Sequence, residues 1–186
     1  MRKIILASKS PRRKELLNLL DLKFSVEVKE VNEIFSDKLK TDDVAEYLAK
    51  LKADAFSELN EDELIITADT VVVLDDEILG KPENKEEAQG MLKSLSGRSH
   101  EVITGVCLKT SKKLVSFSSS TKVYFKKLTT PEIEYYIENY QPYDKAGSYG
   151  IQEWIGAIGI HKIEGSYYNV VGLPIDQLNK ELEQFI

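Results

Sequence analysis

The chain has 186 residues, of which 42% are hydrophobic and 30% are charged. This composition is typical of a soluble globular protein that is large enough to bury a sizeable core. The 25 basic and 31 acidic residues give a formal charge of −6, which disfavours a general affinity for nucleic acid. No apolar run approaches the roughly 20 residues of a membrane span, and the first residues lack a signal-peptide pattern. We therefore expect a cytoplasmic protein that binds neither membrane nor nucleic acid.

The first predicted elements are a strand over the apolar residues 4–7 and a helix that begins at Pro11. Ser10 suits the N-cap, and proline suits the first helical position because its missing N–H would be unpaired there. Arg12 and Arg13 in the first turn oppose the helix macrodipole, so an anion is expected beside them, and phosphate is the obvious candidate. The alternative is that these basic residues form only a solvated helix start.

Helical spacing and alternation predict the next elements. The first helix ends near Asp21, and a strand follows over residues 24–28. A second helix begins at Thr41 and runs to residue 55, with Lys52 beside its apolar stripe. Residues 64–74 form one long buried strand, or two joined strands, interrupted by Asp69.

The second half of the chain continues the alternation of strands and helices. The predicted elements are a turn at 75–76, a short extended piece ending at 80–82, a helix from Asn84 to residue 95, strands over 102–108 and 114–128 (the latter interrupted), a helix from Thr130 to residue 137, a hairpin of 156–163 with 167–171, and a closing helix over 175–185. Some strands must be antiparallel because they lack crossover helices. The sequence thus predicts a single α/β domain, residues 1–186, with a central mixed sheet flanked by helices.

Asp69 is the residue whose position most needs an explanation. Burial of an unpaired carboxylate costs several kcal/mol, so Asp69 must meet a cation, a metal ion or water, unless it only caps a turn between two strands. Thr70 offers a hydroxyl beside it. A lone cysteine, Cys107, lies in a strand-like run and is expected to be a buried structural thiol, since a single cysteine excludes disulfides within the chain. The two histidines lack metal-ligand spacing, which disfavours a structural zinc site.

Three other charged residues are weaker candidates. Lys81 lies between Gly80 and Pro82, which fix the backbone of a cation that could equally be solvated. Lys52 could be only the snorkelling edge of its helix, and Glu33 a loop carboxylate with no role.

The glycine-rich segment 144–152 permits close approach of a ligand to its backbone. Gln152 at its end carries a donor and an acceptor, which suit the edge of a nucleotide base. The alternative is a tight glycine-rich corner without a ligand.

Six segments in order along the chain resemble the Maf family of nucleoside triphosphate pyrophosphatases. They are Leu6-Ala7-Ser8 with Ser10-Pro11-Arg12-Arg13, Ala68-Asp69-Thr70, Gly80-Lys81-Pro82, Leu95-Ser96-Gly97, Asp144-Lys145-Ala146-Gly147 through Gln152, and Val170-Val171-Gly172-Leu173-Pro174. The resemblance covers nearly the whole chain. It implies a fold similar to that of inosine-triphosphate pyrophosphatases, a divalent metal ion (Mg or Mn), and cleavage between the α- and β-phosphates to give a monophosphate and pyrophosphate.

The resemblance also assigns roles to single residues. Phosphate binding falls on Ser8, Arg13, Lys52 and Lys81, metal binding on Glu33 and Asp69, and the general base on Asp69. The family's subgroup for dTTP and UTP is matched by Arg12, Thr70 and Gln152. Modified pyrimidine nucleotides are left open as substrates.

Two positions depart from the family pattern. Asn32 stands where an acidic residue is common, and Glu153-Trp154 follows Gln152 where many relatives have glycine. A bulky Trp154 could reshape a base pocket or an interface. The competing hypothesis is a nucleotide-binding regulator of septum formation and cell division that does not depend on turnover. The sequence is compatible with a homodimer but does not determine the oligomeric state.

Overall fold

The structure, a computed structural model, describes residues 2–185. The strands are β1 (Lys3–Leu6), β2 (Phe24–Val26), β3 (Glu63–Leu74), β4 (Glu77–Leu79), β5 (Ser99–Lys109), β6 (Leu114–Phe125) and β7 (Ile160–Glu164). The helices are α1 (Pro11–Asn18), α2 (Thr41–Asp54), α3 (Lys85–Leu95), α4 (Thr130–Tyr140), α5 (Trp154–Gly159), α6 (Tyr167–Val171) and α7 (Ile175–Leu182). Among these residues no helix is both long and apolar enough to span a bilayer.

The strands form one mixed sheet in the order β2-β1-β3-β5-β6-β7, and β4 pairs with β3. β1 runs parallel to β2 and to β3, with Ile5 opposite Ser25 and Ile65. β3 and β4 are antiparallel, as are β6 and β7. The predicted mixed α/β sheet is therefore confirmed.

The chain forms two compact units. The first comprises residues 1–70, 104–119 and 172–186, and the second comprises residues 71–103 and 120–171. In the first unit, α2 packs closely against β5 at Gly105. A Cβ atom added there would overlap the backbone of Ala45, so only glycine permits this approach. Cys107 packs there with Ala49 and Ala53, and burial raises its thiol pKa to about 12. The expectation of a buried structural thiol is confirmed.

The core of the second unit is built on the aromatic side chains of Phe125, Tyr136 and Tyr149. The side chain of Trp154 packs against this core, and its ring centroid lies 4.8 Å from that of Tyr135 on α4. The tryptophan that departs from the family pattern thus packs, partly buried, against residues of its own unit.

The predicted hairpin of residues 156–163 with 167–171 is wrong. Residues up to Gly159 belong to α5, and the partner of β7 is β6, with Ile163 opposite Val123. Residues 167–171 form helix α6, in which Asn169 donates from Nδ2 to the carbonyl of Val102 at 2.9 Å. Short apolar runs suit a strand and a helix equally, so periodicity alone could not separate them.

The structure also settles details of three predicted strands. β3 is one continuous strand, so Asp69 does not mark a turn between two strands. β6 runs without interruption and ends at Phe125, and β2 ends at Val26, earlier than predicted.

Candidate active site

The turn between β1 and α1 forms the predicted helix start. The hydroxyl of Ser10 accepts a hydrogen bond of 3.4 Å from the N–H of Arg13, and Pro11 occupies the first turn. Ser8 is buried, and its hydroxyl accepts from the N–H of Ser10 at 3.2 Å. The first turn contains no acidic residue, so the partial positive charge of the helix N-terminus is left to attract an external anion.

The guanidinium of Arg13 is held by contacts from distant parts of the first unit. Its Nε donates to the carbonyl of Gly172 at 2.9 Å, its Nη2 donates to the hydroxyl of Thr70 at 3.0 Å, and its Nη1 lies 3.5 Å from the hydroxyl of Ser8. Gly172 has a φ of 129°, which a residue with a side chain rarely adopts. The arginine therefore has a defined orientation before any ligand binds.

Burial lowers the pKa of Arg13 below its usual value, and the charge of Asp69 opposes this effect. The guanidinium still remains protonated, because the reference pKa lies far above neutrality. The guanidinium of Arg13 therefore places a positive charge at a fixed position beside the start of α1.

The carboxylate of Asp69 is paired with Lys52. Lys52 Nζ contacts Asp69 Oδ1 and also lies 3.1 Å from Glu33 Oε1. The side chains of Lys52 and Asp69 are 17% and 14% exposed, whereas that of Glu33 is half exposed. Lys52 is thus the cation that compensates the buried charge of Asp69. A ligand can reach the three side chains from the side of Glu33.

A hydrogen bond between β3 and α2 explains why Lys52 meets Asp69. Thr67 donates from its hydroxyl to the carbonyl of Ala49 at 2.6 Å. Thr67 and Asp69 lie on one face of the strand, and Lys52 follows Ala49 by about one helical turn. The bond at Thr67 therefore fixes the register that brings the lysine to the aspartate.

Thr70, the next residue of β3, has different partners. Its hydroxyl receives the hydrogen bond from Arg13 and lies 2.9 Å from the hydroxyl of Thr104, which is fully buried on β5. Thr104 is not among the residues predicted for the site, although a lone polar residue in the apolar run 102–108 was a signal. The contact of Arg13 with the backbone of Gly172 was not predicted either.

The structure therefore brings together two groups of predicted site residues in the first unit: Ser8, Arg13 and Thr70 in one, and Glu33, Lys52 and Asp69 in the other. Arg12 is half-buried in the first turn of α1. Lys81 and Gln152 belong to the second unit, and both are exposed. The carbonyl of Gly80, before Lys81, accepts from the N–H of Gly147 at 3.0 Å. Gln152 lines a groove of about 560 Å³ together with His161 and Lys162.

The two carboxylates of Glu33 and Asp69 are a modest set of metal ligands. Within residues 2–185 no group of three or more His, Cys, Asp or Glu side chains could hold a metal ion. Mg²⁺ commonly takes one or two carboxylates, with substrate phosphates and water completing its shell. Two carboxylates that converge on one cation, Lys52, fit that pattern.

The fold and the site define a mixed α/β protein with a fixed arginine at a helix start and a lysine shared by two carboxylates. The fold is similar to that of a HAM1 protein from Coxiella burnetii, with a TM-score of 0.53 at 18% identity over 99% of this chain and 100% of that chain. This likeness confirms the predicted fold class.

The chain belongs to the family of Maf-like proteins, whose model matches residues 3–185. It is 54% identical to a dTTP/UTP pyrophosphatase of Flavobacterium psychrophilum over 95% of this chain and 91% of the relative. It is 51% identical to a dTTP/UTP pyrophosphatase of Porphyromonas gingivalis over 98% of this chain and 94% of the relative. The family resemblance predicted from the six sequence segments is confirmed.

Proposed function

We propose that the protein hydrolyses dTTP and UTP to the monophosphate and pyrophosphate. Relatives named dTTP/UTP pyrophosphatase align with nearly the whole chain at 51% to 54% sequence identity. The structural observation that carries the proposal is the contact of Lys52 with both Asp69 and Glu33. Glu33 and Lys52 place the carboxylate of Asp69 where it can accept a proton from water.

Phosphate binding is assigned to the start of α1 and to two lysines. A bound triphosphate carries close to four negative charges, which require several cations. Arg13 is charged and pre-oriented by Thr70 and Gly172, so little side-chain entropy is lost when it binds phosphate. Ser8 supplies a hydroxyl beside it, and Lys52 and Lys81 supply further positive charge.

A divalent metal ion is part of the proposal, because nucleoside triphosphate pyrophosphatases generally use one. Asp69 and Glu33 would hold it with oxygens of the substrate. When bound, the ion supplies charge neutralisation at the phosphates and a more acidic water. We propose Mg or Mn as this ion.

The proposed reaction is an attack of water on the α-phosphorus. The water oxygen bonds to the α-phosphorus, its proton passes to the carboxylate of Asp69, and the bond from the α-phosphorus to the bridging oxygen breaks. Pyrophosphate leaves with that oxygen. Arg13 and Lys52 stabilise the negative charge that develops on the leaving group.

Selectivity for pyrimidines is assigned to Arg12, Thr70 and Gln152. The amide of Gln152 can accept from the imide N–H of thymine or uracil and donate to a neighbouring carbonyl. Thr70 already binds Arg13 and Thr104, so we propose that it acts on selectivity through the arginine. We also propose that the protein acts in the cytoplasm, where these nucleotides are used, and that residues 1–186 function as a single domain. The homodimer and the lack of nucleic-acid binding stay predictions.

The decisive experiment is hydrolysis of a panel of nucleoside triphosphates in ¹⁸O-labelled water with Mg²⁺ or Mn²⁺. We expect dTTP and UTP to be the best substrates, and we expect the label in the monophosphate, because attack at the α-phosphorus places the new oxygen there. Label in pyrophosphate, or release of orthophosphate with a diphosphate, contradicts the mechanism. Turnover that persists in EDTA contradicts the metal requirement, and nucleotide binding without any turnover favours the regulator hypothesis.

A further inference from the structure

The loop of residues 150–153 carries Gln152, whose side chain is exposed. An exposed glutamine has several accessible rotamers, and its selectivity for a base depends on how well its backbone is held. The hydrogen bonds that hold this loop come from a tyrosine of α4.

Tyr136 bridges the two ends of the loop with its hydroxyl. The hydroxyl accepts a hydrogen bond of 3.0 Å from the N–H of Gly150 and donates to Oε2 of Glu153. Tyr136 is fully buried on α4, and burial together with Glu153 raises its pKa. The hydroxyl therefore stays protonated and available as a donor. Its two partners, Gly150 and Glu153, lie two residues before and one residue after Gln152.

Glu153 is held from a second direction. Its Oε1 lies 3.1 Å from Nζ of Lys145, whose side chain is 10% exposed and which also contacts Asp144 at 2.7 Å. Although Glu153 is the N-cap residue of α5, its side chain makes no capping hydrogen bond. The side chain is thus used entirely to tie the loop to Tyr136 and Lys145.

Close packing restricts the loop further. A Cβ atom added at Gly150 would lie 2.9 Å from Cδ of Glu153, and one added at Gly156 would overlap the carbonyl of Ile151. The backbone thus lies close to its neighbours on both sides of Gln152, with no free space for a side chain at either glycine.

We propose that Tyr136 is a positioning residue that holds the loop of Gln152 and thereby sets the preference for a pyrimidine over a purine base. The inference rests on the proposed function and deepens it. Tyr136 does not touch the substrate in this scheme. It acts through the glutamine, with Glu153 as the second member of the same contact.

The test is a double-mutant cycle with Tyr136→Phe and Gln152→Ala, read as the ratio of kcat/KM for dTTP to kcat/KM for GTP. The phenylalanine keeps the ring in the core and removes only the hydroxyl. We expect the single variant Tyr136→Phe to lower the ratio about 3- to 10-fold, the range expected for one lost hydrogen bond, chiefly through dTTP. In the Gln152→Ala background the same change should leave the ratio as it is.

Tyr124→Phe is the matched control. Its hydroxyl also donates to a glutamate of the second unit, Glu164, at 3.0 Å, but on the exposed face of β6. This variant should keep the wild-type ratio. Thermal unfolding of every variant separates a loss of stability from a loss of selectivity.

Glu153 provides a second, independent pair of variants if Tyr136→Phe folds poorly. Glu153→Ala removes the acceptor for Tyr136 and should lower the ratio, whereas Glu153→Gln retains a carbonyl oxygen for it and should restore most of the ratio. Equal ratios for these two variants contradict the proposal.

The remaining outcomes separate the inference from its premise. One outcome is that the wild type prefers dTTP while Tyr136→Phe lowers kcat/KM for dTTP and for GTP by the same factor. In that case Tyr136 is only a structural residue, and the inference alone is overturned. An equal effect of Tyr136→Phe with and without Gln152 does the same. A wild-type protein that releases no pyrophosphate, or shows no preference for dTTP, overturns the proposed function and the inference with it.

Discussion

The hydroxyl of Thr70 binds the guanidinium of Arg13 at 3.0 Å, although 57 residues separate the two in the chain. A second hydroxyl, that of Thr104, lies 2.9 Å from the same oxygen. Thr70 is therefore engaged from two sides, and the arginine it orients has a planar fork of donors that matches phosphate oxygens.

Replacement of Arg13 by lysine should lower kcat/KM for dTTP about 10- to 150-fold, as expected for the loss of a hydrogen bond to a charged group worth about 1.5 to 3 kcal/mol. Lysine keeps the charge but cannot bond Thr70, Gly172 and a phosphate with one planar group. The control is Arg98→Lys, since Arg98 is exposed and binds Asp75 at 2.5 Å. Steady-state kinetics check the prediction, and equal activity of the two variants would show that charge alone suffices at position 13.

Replacement of Asp69 by asparagine should reduce turnover about 10²- to 10⁴-fold, the usual contribution of a general base. The amide keeps the shape of the side chain but cannot take the proton, and Lys52 retains Glu33 as a partner. Pyrophosphate release measures the effect, and a thermal melt monitors the fold. Asp62→Asn, at an exposed residue just before β3, should behave as wild type. A near wild-type kcat in Asp69→Asn would demote the residue to a structural role.

Replacement of Gln152 by alanine should narrow the gap between dTTP and GTP more than it lowers activity on GTP. A polar group that pairs with one base edge and not with another costs about 1 to 3 kcal/mol when left unpaired, or roughly 5- to 150-fold. Gln184→Ala, at an exposed residue of the C-terminal turn, is the control. An unchanged preference in Gln152→Ala would assign selectivity to other residues.

His100 should make the folded protein less stable in weak acid. Burial lowers its pKa from 6.5 to about 4, while the unfolded chain takes up a proton near pH 6.5. The unfolded state therefore binds more protons between these values, and stability falls as the pH falls from 6.5 towards 4. From pH 7 to pH 5 the expected loss from this residue is about 2 kcal/mol.

Denaturant unfolding of the wild type, His100→Gln and His161→Gln at the two pH values checks this expectation. His161→Gln, at an exposed position, is the control, because it leaves the buried imidazole of His100 in place. His100→Gln should lose less, because it removes the group that titrates. An identical loss in all three proteins would show that carboxylates, and not His100, govern the acid sensitivity.

Local sequence signals correctly predicted several turns and helix starts, including the one beside the site. Ser10 and Pro11 predicted the start of α1 because capping chemistry depends on residues within one turn. The turn at Asp75-Asp76 is confirmed, with both residues at positive φ. The helix beginning at Asn84 is confirmed as well, since the asparagine side chain accepts from the N–H of Glu87 at 2.9 Å. The roles assigned to the site residues stay predictions.

Residues 154–171 show where sequence reasoning failed. Their apolar segments are only a few residues long, and the choice between strand and helix depended on what they pack against. Residues 160–164 became a strand because β6 offers a partner for them, and residues 167–171 became a helix that turns Asn169 inward to Val102 and Thr121. Tertiary contacts decided both.

The sequence by itself determined the alternation of strands and helices, the charged start of α1 and the presence of a carboxylate in an apolar strand, because periodicity, capping and composition act between near neighbours. Only the tertiary structure decided that Lys52 balances Asp69, through the bond of Thr67 to Ala49, and that Thr70 and Gly172 orient Arg13. These pairs are far apart in the chain, and their meeting depends on how β3 packs against α2 and on where the last turns return to the start of α1, which no local pattern encodes.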